Sequence, residues 1–326
     1  MYPNDCIKTV YDSHFLIKYP PSKKHDPEYS KFRSVIFKTD GTMVCFSPPK
    51  SVPLTLFKYN AEEVVFEEFI EGTMINAFYD GEWKIATKSV LGAECTFNSS
   101  KTFASMFKDY PVDFDQLNTS YCYSFVIQHP ENQIIIQTGL SLWIVAVYEI
   151  IDNVPYEKKP IHELPFLKPK QYTFSSYAEA QIKTQETLCK GMVLKCNGER
   201  SKIWNTEYLK RSVHKGVDMF EYHYLKIRNT PLLDTYLYYF PWDKDNAKRY
   251  EDQIVKCTEL LLKDYVNCFI KKMLHLKLYA RKNYLYELHH IYLTELRCEK
   301  RKMTKTRVIV YLNSLQPGRF LTLLRM

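Results

Sequence analysis

Three Asx-Gly dipeptides, each standing between two apolar runs, constrain the fold of this chain more than any other feature. They are Asp40-Gly41, Asp80-Gly81 and Asn197-Gly198. Because such dipeptides readily adopt the positive φ angles of a two-residue turn, each one predicts a β-hairpin. The first two thirds of the chain are therefore predicted to form a β-rich body.

The most apolar stretch of the chain, residues 134–151, belongs to this body. Its polar interruption at Thr138-Gly139 favours two buried strands over a membrane span, which needs about 20 mostly apolar residues in a row. A turn at residues 129–132 separates these strands from the preceding one. Residues 121–150 are therefore predicted to hold three strands, followed by a proline-containing connector from Val154 to Lys170.

Helical periodicity replaces the strand pattern beyond Asn229. Apolar residues recur there every three or four positions, which is the spacing of one helix face. Helices are predicted from Tyr177 to Thr187, between Ile254 and Phe269, from Tyr284 to Arg297 and after the candidate N-cap Thr304. The predicted fold class is α+β, with a β-rich domain at residues 1–230 and a basic helical C-terminal domain at residues 231–326.

The formal net charge of +8 comes from the last quarter of the chain. Residues 241–326 contain 18 Lys and Arg against 9 Asp and Glu. A local excess of this kind favours an anionic partner, with nucleic acid as the first candidate. A solvated, lysine-rich helix face is the alternative interpretation. The densest basic cluster, at residues 299–307, is compatible with phosphate contact and with plain solvation alike.

Several classes of site are excluded by motifs that the sequence lacks. The nine cysteines include no C-x-x-C pair, and no His pair completes a zinc pattern, so no metal site is expected. The phosphate-binding G-x-x-x-x-G-K-[ST] loop and the dinucleotide-binding G-x-G-x-x-G motif do not occur. The polar N-terminus has no secretory signal. We expect reduced thiols in a cytosolic compartment and no membrane partner.

Four short segments, taken in order, carry the strongest functional signal. They are Arg33–Phe37 with Phe46–Lys50, Glu71–Ile75 with Trp83–Ser89, Tyr123–Phe125 with His129–Ile135, and Lys190–Lys195 with Lys202–Tyr208. Their order, spacing and hairpin context resemble the bacteriophage RNA ligase family over residues 33–214. That family belongs to the covalent nucleotidyltransferase superfamily of ligases and mRNA capping enzymes. The general style of the sequence also resembles proteins of large DNA viruses.

The resemblance implies an ATP-grasp-like nucleotidyltransferase body with a defined chemistry. In the family, a lysine in a K-x-D-G motif attacks the α-phosphate of ATP and forms a covalent lysyl-AMP. Carboxylates on two further strands bind the ribose and hold a divalent metal. A K-x-K pair on the last strand neutralises the charge that develops on the phosphate. The AMP then passes to an RNA 5′-phosphate and is displaced by a 3′-hydroxyl.

Four of these chemical positions are changed in the present sequence. Phe69 occupies the position of the nucleophilic lysine. Ser124 occupies the position of the middle carboxylate, and Lys190 that of the later carboxylate. The second lysine of the K-x-K pair is Trp204. A phenyl ring cannot form a phosphoramidate, so the resemblance implies a degenerate site without catalytic residues. We expect no cofactor and no bound metal.

Five residues match family positions that have a functional role: Arg33, Glu71, Gly72, Lys88 and Lys202. They are predicted to form a residual nucleotide- or phosphate-binding set. The leading hypothesis is a catalytically defective RNA-ligase-like protein of a large DNA virus, which serves as a nucleic-acid-binding or assembly module. Its expected partners are RNA or another nucleic acid, bound by the basic C-terminal domain, and viral proteins. Its expected location is the host cytoplasm, in a viral factory, or the virion.

Two alternatives stay open at this point. The first is a structural protein, for instance a virion component, that uses the ligase-like body as a scaffold. The second is an active ATP-dependent RNA ligase, using ATP and Mg²⁺, in which another lysine acts as the nucleophile. The lysines nearest in sequence to the lost position are Lys50, Lys58, Lys84 and Lys88. Trp204 also allows two interpretations, as a core residue or as a platform on which a base stacks.

Overall fold

The computed structural model describes residues 2–24, 26–97, 99–158, 164, 166–187, 189–216, 218–273 and 280–326. The chain divides into two compact units, Met1–Ser212 and Val213–Met326. The first unit contains the β-sheets and the second is helical. The α+β class, with a β-rich body and C-terminal helices, is therefore confirmed.

Thirteen strands form three antiparallel sheets in the described part of the first unit. The strands are β1 (Ile7–Val10), β2 (His14–Lys18), β3 (Val35–Lys38), β4 (Met43–Phe46), β5 (Val65–Glu68), β6 (Thr73–Asp80), β7 (Glu82–Ala86), β8 (Tyr121–Gln128), β9 (Ser141–Ile151), β10 (Val154–Glu157), β11 (Gln171–Tyr172), β12 (Gly191–Cys196) and β13 (Glu199–Trp204). The N-terminal sheet has the order β1-β2-β3-β4, the central sheet β10-β9-β8-β6-β7 and the third sheet β11-β5-β12-β13.

The three predicted hairpins are confirmed. Strands β3 and β4 turn at Asp40-Gly41, β6 and β7 at Asp80-Gly81, and β12 and β13 at Asn197-Gly198. The glycines of all three turns have positive φ angles, which residues with a side chain rarely adopt. The β1–β2 hairpin was not predicted, because residues 11–13 between these strands contain no glycine.

The prediction of three strands between residues 121 and 150 is wrong by one. The structure describes every residue from 133 to 140 and has no strand there; β8 is followed directly by β9. The backbone amides of Ile135 and Ile136 donate hydrogen bonds to the carboxylate of Glu71 instead of joining a β-ladder. A side chain distant in sequence therefore decides the conformation of this apolar segment.

The connector predicted from Val154 to Lys170 is also wrong at its start. Residues Val154–Glu157 pair with β9 as the short strand β10. The turn before β10 is formed by Asp152 and Asn153, both with positive φ, a conformation that short polar side chains tolerate. Residues 159–163 and 165 of the predicted connector lie outside the described residues.

The third sheet has one apolar face and one charged face. Phe66, Met192 and Leu194 belong to a buried core that also contains Ala180 of the helix α2 (Tyr177–Glu186), which was predicted at this place. The register pairs Val193 with both Glu67 and Lys202. Because side chains alternate along a strand, Glu67 and Lys202 project together from the opposite face.

Two further cores stabilise the first unit. The helix α1 (Phe103–Phe107) packs on one face of the central sheet, where it contacts residues such as Phe125 and Ile127. Residues of the N-terminal sheet, including Ile36 and Cys45, share a core with the other face of the central sheet. These cores hold the strands that position the site described below.

The second unit is built from helices around one apolar core. Including the helix that crosses the division between the units, they are α3 (Thr206–Lys215), α4 (Phe220–Ile227), α5 (Leu232–Tyr239), α6 (Lys244–Tyr265), α7 (Lys282–Ile291), α8 (Lys305–Ser314) and α9 (Pro317–Leu324). The predicted helices α6, α7 and α8 are confirmed, and the hydroxyl of Thr304 caps α8 by accepting from the amide of Arg307. None of the described helices has the length and apolar content that crossing a membrane requires.

The two compact units meet earlier in the sequence than the predicted domain boundary at residues 230/231. They divide between Ser212 and Val213, so α4 and α5 pack with the second unit. Periodicity did not single out these helices, because each has only 8 residues and together they span little more than four turns. The assignment of 1–230 and 231–326 as functional domains stays a prediction.

Candidate functional site

Phe69 lies at the end of the third sheet, beside two of the three other changed positions, Lys190 and Trp204. The backbone amide of Phe69 donates to the carbonyl of Gly191 at 2.8 Å and so continues the pairing of β5 with β12. The Phe69 and Trp204 rings meet edge to face, with centroids 5.4 Å apart. Lys190 lies over both rings. Three of the four changed positions are therefore in one place.

Two lysine amines rest against the ring of Phe69. The Nζ of Lys202 is 3.9 Å from the ring centroid, and the Nζ of Lys190 is 4.6 Å from it. The Trp204 ring is 5.6 and 5.9 Å from the same two nitrogens. Faces of aromatic rings attract cations through their quadrupole. The phenyl group thus stabilises two neighbouring ammonium groups but offers no nucleophilic atom.

Arg33 and Lys50 complete a group that we call the cation cluster, made of Arg33, Lys50, Lys190 and Lys202. Burial, followed by the positive charges of the three other members, lowers the pKa of Lys202 to about 6. Burial is also the main cause that lowers the pKa of Lys190, of Lys50 and of Arg33. In the described part of the chain, no carboxylate forms an ion pair with any member of the cluster. Four basic side chains thus stand together, and none of them is ion-paired with a described carboxylate.

The carboxylate of Glu71 acts electrostatically on Lys190 of the cluster. Both of its oxygens accept hydrogen bonds from other residues. The Tyr208 hydroxyl donates to Oε1 at 2.5 Å, and the amides of Ile135 and Ile136 donate to Oε2 at 3.2 and 2.7 Å. Glu71 is only 4% exposed. Burial and the Glu71 charge raise the pKa of Tyr208, so the phenol stays protonated and donates. Glu71 therefore anchors the loop 133–140 and α3 to the sheet.

Gly72 and Gly191 have a backbone conformation and surroundings that only glycine fits. Their φ angles are +148° and +149°. A Cβ on Gly72 would lie 2.4 Å from the carbonyl oxygen of Ile127, and one on Gly191 would lie 2.2 Å from that of Ile203. Neither backbone oxygen can move without disturbing a strand. The glycines of the E-G and K-G pairs are thus required by the fold, with or without chemistry.

Ser124 stands apart from the other changed positions. It is fully buried in the middle of β8, and its hydroxyl donates to the Oδ1 of Asn76 on β6 at 2.8 Å. The sequence hypothesis groups Ser124 with Phe69, Lys190 and Trp204, but among the described contacts it touches none of them. Its hydroxyl serves the packing of the central sheet.

The predicted residual set is divided in the same way. Arg33 and Lys202 belong to the cation cluster, whereas Glu71 and Gly72 have structural contacts. The Nζ of Lys88 donates to the Tyr19 hydroxyl at 3.0 Å and lies 4.2 Å above that ring. The charge of Lys88 also contributes to the lowered pKa of Lys50. Lys88 thus flanks the cluster.

The lysines considered as relocated nucleophiles differ in position. Lys84 forms an ion pair with Glu82 at 2.6 Å, and Lys58 is exposed at the surface. Lys50 lies in the cation cluster, close enough to lower the pKa of Lys202. Lys202 itself has the more suitable amine, because a lowered pKa leaves it largely unprotonated at neutral pH.

The divalent metal of the ligase family does not fit the residues present. Its family ligands are carboxylates, but Lys190 presents an ammonium group and Ser124 donates to Asn76. The oxygens of Glu71 accept from three protein donors. Across the described residues, no group of three His, Cys, Asp or Glu side chains is arranged to hold a metal ion.

A cavity of about 590 Å³ opens on the charged face of the third sheet, the face from which Lys202 also projects. Its lining includes Val145 of β9 and Glu67, Lys195 and Glu157. Lys195 pairs with Glu67 at 2.6 Å, and Arg200 pairs with Glu157 at the same distance. These charges neutralise one another, unlike those of the cation cluster.

Sequence reasoning gave no role to Tyr208 and no binding role to Lys50. Tyr208 stacks on Trp204 with centroids 6.3 Å apart, and its spacing of four residues from Trp204 is the one available signal for that contact. Its hydrogen bond to Glu71 spans 137 residues of sequence. Nothing in a local pattern indicates such a partner.

No family model matches this chain, and no curated protein matches it. Solved structures of ATP-dependent ligases are similar to it at low identity. "Archaeal ATP-dependent RNA ligase - form 1" is 14% identical with a TM-score of 0.45, over 76% of this chain and 68% of that chain. "Putative ATP-dependent DNA ligase from Aquifex aeolicus" is 14% identical with a TM-score of 0.43, over 89% and 78%. "Archaeal ATP-dependent RNA ligase - form 2" is 13% identical with a TM-score of 0.45, over 75% and 70%.

Proposed function

We propose that this protein is a catalytically silent, RNA-ligase-like module that binds nucleic acid through the cation cluster. The observation that carries this proposal is the phenyl ring of Phe69 beneath the amines of Lys190 and Lys202. Phe69 aligns with the nucleophilic lysine of the ligase family. Its ring contacts Lys190 and Lys202, the side chains that would face a phosphate. Phosphate contact is thereby retained, while formation of a lysyl adenylate at position 69 is lost.

The charge of the cluster supports a phosphate-bearing partner. Like charges held together raise the free energy of the folded protein, and an anion among them offsets that cost. The four members are half-buried and reachable from solvent. Strongly perturbed pKa values, such as that of Lys202, cluster at functional sites. A polyphosphate or nucleic-acid backbone supplies the missing negative charge.

Trp204 adds a second element that suits nucleic acid. It is 39% exposed, so part of the indole is open to solvent close to the lysine amines. Bases stack on exposed aromatic rings with little dependence on sequence, by about 1–3 kcal/mol each. We propose that a base of the bound strand stacks on Trp204 while its phosphates contact the cluster. The basic excess of residues 241–326 supplies further phosphate contacts under this proposal.

The viral origin belongs to the same proposal. The sequence style supports a large DNA virus as the source, with the protein in the host cytoplasm or packaged in the virion. Association with viral proteins would extend the role to assembly. A protein that is found in purified particles and binds no nucleic acid would instead fit the scaffold alternative.

Salt dependence of RNA binding tests the proposal. We expect the affinity for a single-stranded RNA to fall steeply with salt, by about 0.7 in logarithmic slope for each phosphate that is neutralised. The double variant Lys190→Met and Lys202→Met should lose affinity at low salt and have a flatter slope. Lys58→Met is the matched control, because Lys58 is exposed and lies outside the cluster. An unchanged slope in the double variant would rule out the cluster as the binding site.

A second candidate function follows from Lys202. Its amine has a lowered pKa and lies 3.9 Å from the Phe69 ring centroid, beside the lost position. From there it would attack the α-phosphorus of ATP, form a phosphoramidate and displace pyrophosphate. This candidate is an active nucleotidyltransferase with Lys202 as the relocated nucleophile. It predicts a covalent nucleotide adduct that disappears in Lys202→Met, which the first proposal does not.

A further inference from the structure

Lys190 reverses the charge at a position where the ligase family keeps a metal-holding carboxylate. The strained backbone of Gly191, which admits no side chain, fixes the residue before it at the start of β12. From there the Lys190 side chain reaches the Phe69, Trp204 and Tyr208 rings, at 4.6, 5.9 and 5.5 Å from the amine. The ammonium group is therefore held in the site and does not extend into bulk solvent.

Lys190 lies among charges of both signs, and the Glu71 carboxylate acts on it more strongly than the Arg33 guanidinium. Arg33 acts on it with the same sign, and Lys190 in turn acts on Lys202. Glu71 is the one carboxylate whose charge reaches Lys190 among the described residues, and it accepts hydrogen bonds from Tyr208, Ile135 and Ile136. The protein thus supplies fixed positive charge at a place where the family uses a mobile divalent cation.

We infer that the cation cluster binds a terminal phosphate or oligophosphate group without any divalent metal, with Lys190 supplying the positive charge in place of the metal. This inference rests on the proposed function and specifies the chemistry of the same site. Ammonium and guanidinium groups bind phosphate oxygens through short, charge-assisted hydrogen bonds. A metal ion brought in with the ligand would be repelled by the positive charges of the cluster.

Calorimetric titration of the full-length protein with inorganic tripolyphosphate tests this inference. The titration is run once with a chelator and once with excess Mg²⁺. We expect binding in the chelator and weaker binding with Mg²⁺, because the metal neutralises the ligand before it reaches the cluster. Lys190→Met should weaken binding about ten- to a hundredfold, the effect of losing one hydrogen bond to a charged group. Lys190→Glu should weaken it further.

Lys58→Glu serves as the charge-matched control for Lys190→Glu, because it changes the net charge equally at an exposed site. Far-ultraviolet circular dichroism of each variant establishes that the β-rich unit remains folded. If binding requires Mg²⁺ and is abolished by the chelator, the inference is wrong. Equal affinities of the wild type and Lys190→Met would also overturn it.

Competition with RNA identifies the source of the phosphate and separates this inference from the proposed function. One RNA sequence is prepared with a 5′-triphosphate, a 5′-monophosphate and a 5′-hydroxyl, and ATP is tested in parallel. Displacement of tripolyphosphate by the phosphorylated ends alone, or by ATP, supports a terminal phosphate from that source. Equal binding of all three RNAs, undisturbed by tripolyphosphate, contradicts the inference but leaves nucleic-acid binding intact.

Discussion

Gly72→Ala is expected to destabilise the β-rich unit by about 3–5 kcal/mol, and Gly191→Ala by a similar amount. Each glycine has a φ angle near +150° and lies against a strand. The new methyl carbon would lie 2.4 Å from the Ile127 oxygen in the first case and 2.2 Å from the Ile203 oxygen in the second. Urea-induced unfolding, followed by circular dichroism, measures the loss.

Gly139→Ala is the matched control for both substitutions. Gly139 has no positive φ, and a Cβ built on it meets no heavy atom within 4 Å. We expect the free energy of unfolding of this variant to lie within about 0.5 kcal/mol of the wild-type value or slightly above it. If Gly72→Ala behaved like Gly139→Ala, the two motif glycines would not be retained for the fold, and their persistence would need a chemical explanation.

Lys202→Met is expected to raise the stability of the protein while it weakens phosphate binding. The pKa of Lys202 is lowered to about 6 by burial and by Arg33, Lys190 and Lys50, with Arg200 adding to the effect. Between about pH 6 and the ordinary lysine pKa, the unfolded chain therefore binds one more proton than the folded chain at this residue. Titration of Lys202 therefore makes the free energy of unfolding rise with pH across that range. Below about pH 6 the lysine is charged in the folded protein and destabilises it by the full amount.

Removal of the buried charge should therefore stabilise most at low pH. Replacing buried charges by apolar side chains typically gains about 1–4 kcal/mol, so we expect Lys202→Met to unfold at a higher temperature than the wild type at pH 6. The difference should shrink at pH 9. Thermal unfolding at both pH values measures it, with the exposed Lys58→Met as a control that changes little at either. A Lys202→Met protein that is less stable than the wild type at pH 6 would show that the lysine has a structural role.

The hairpins were predictable because a local rule governs them. Asp or Asn followed by glycine supplies the turn geometry, and the flanking apolar runs supply the strands. The same is true of the capped helix after Thr304, whose hydroxyl bonds to a backbone amide three residues later. Such features depend on neighbours in sequence, so the sequence contains the information.

The misassigned segment 133–140 depends on a partner distant in sequence. Its apolar residues look like a strand, but the amides of Ile135 and Ile136 are taken by Glu71, more than 60 residues away. Tyr208 reaches the same carboxylate from α3. A local pattern cannot indicate that one buried carboxylate has three donors from two separate segments.

The candidate site was predicted in outline, but its functional reading needed the geometry. Motif spacing was enough to bring Phe69, Lys190 and Trp204 together. It could not distinguish matching residues that have structural contacts, such as Glu71 and Gly72, from matching residues that belong to the cation cluster, such as Lys202. The structure separates the two groups. Gly72 is required by the backbone conformation and Glu71 by its hydrogen bonds, so neither needs a catalytic role to explain it.

Incubation of the protein with α-labelled ATP or GTP and a divalent metal, followed by a denaturing gel, tests the central claim most directly. We expect no labelled protein band, because Phe69 offers no nucleophile and Lys190 repels the metal. Phe69→Lys alone should also remain unlabelled, since the carboxylates at positions 124 and 190 are still missing. An acid-labile labelled band in the wild type would contradict the claim, and its loss in Lys202→Met would identify the relocated nucleophile.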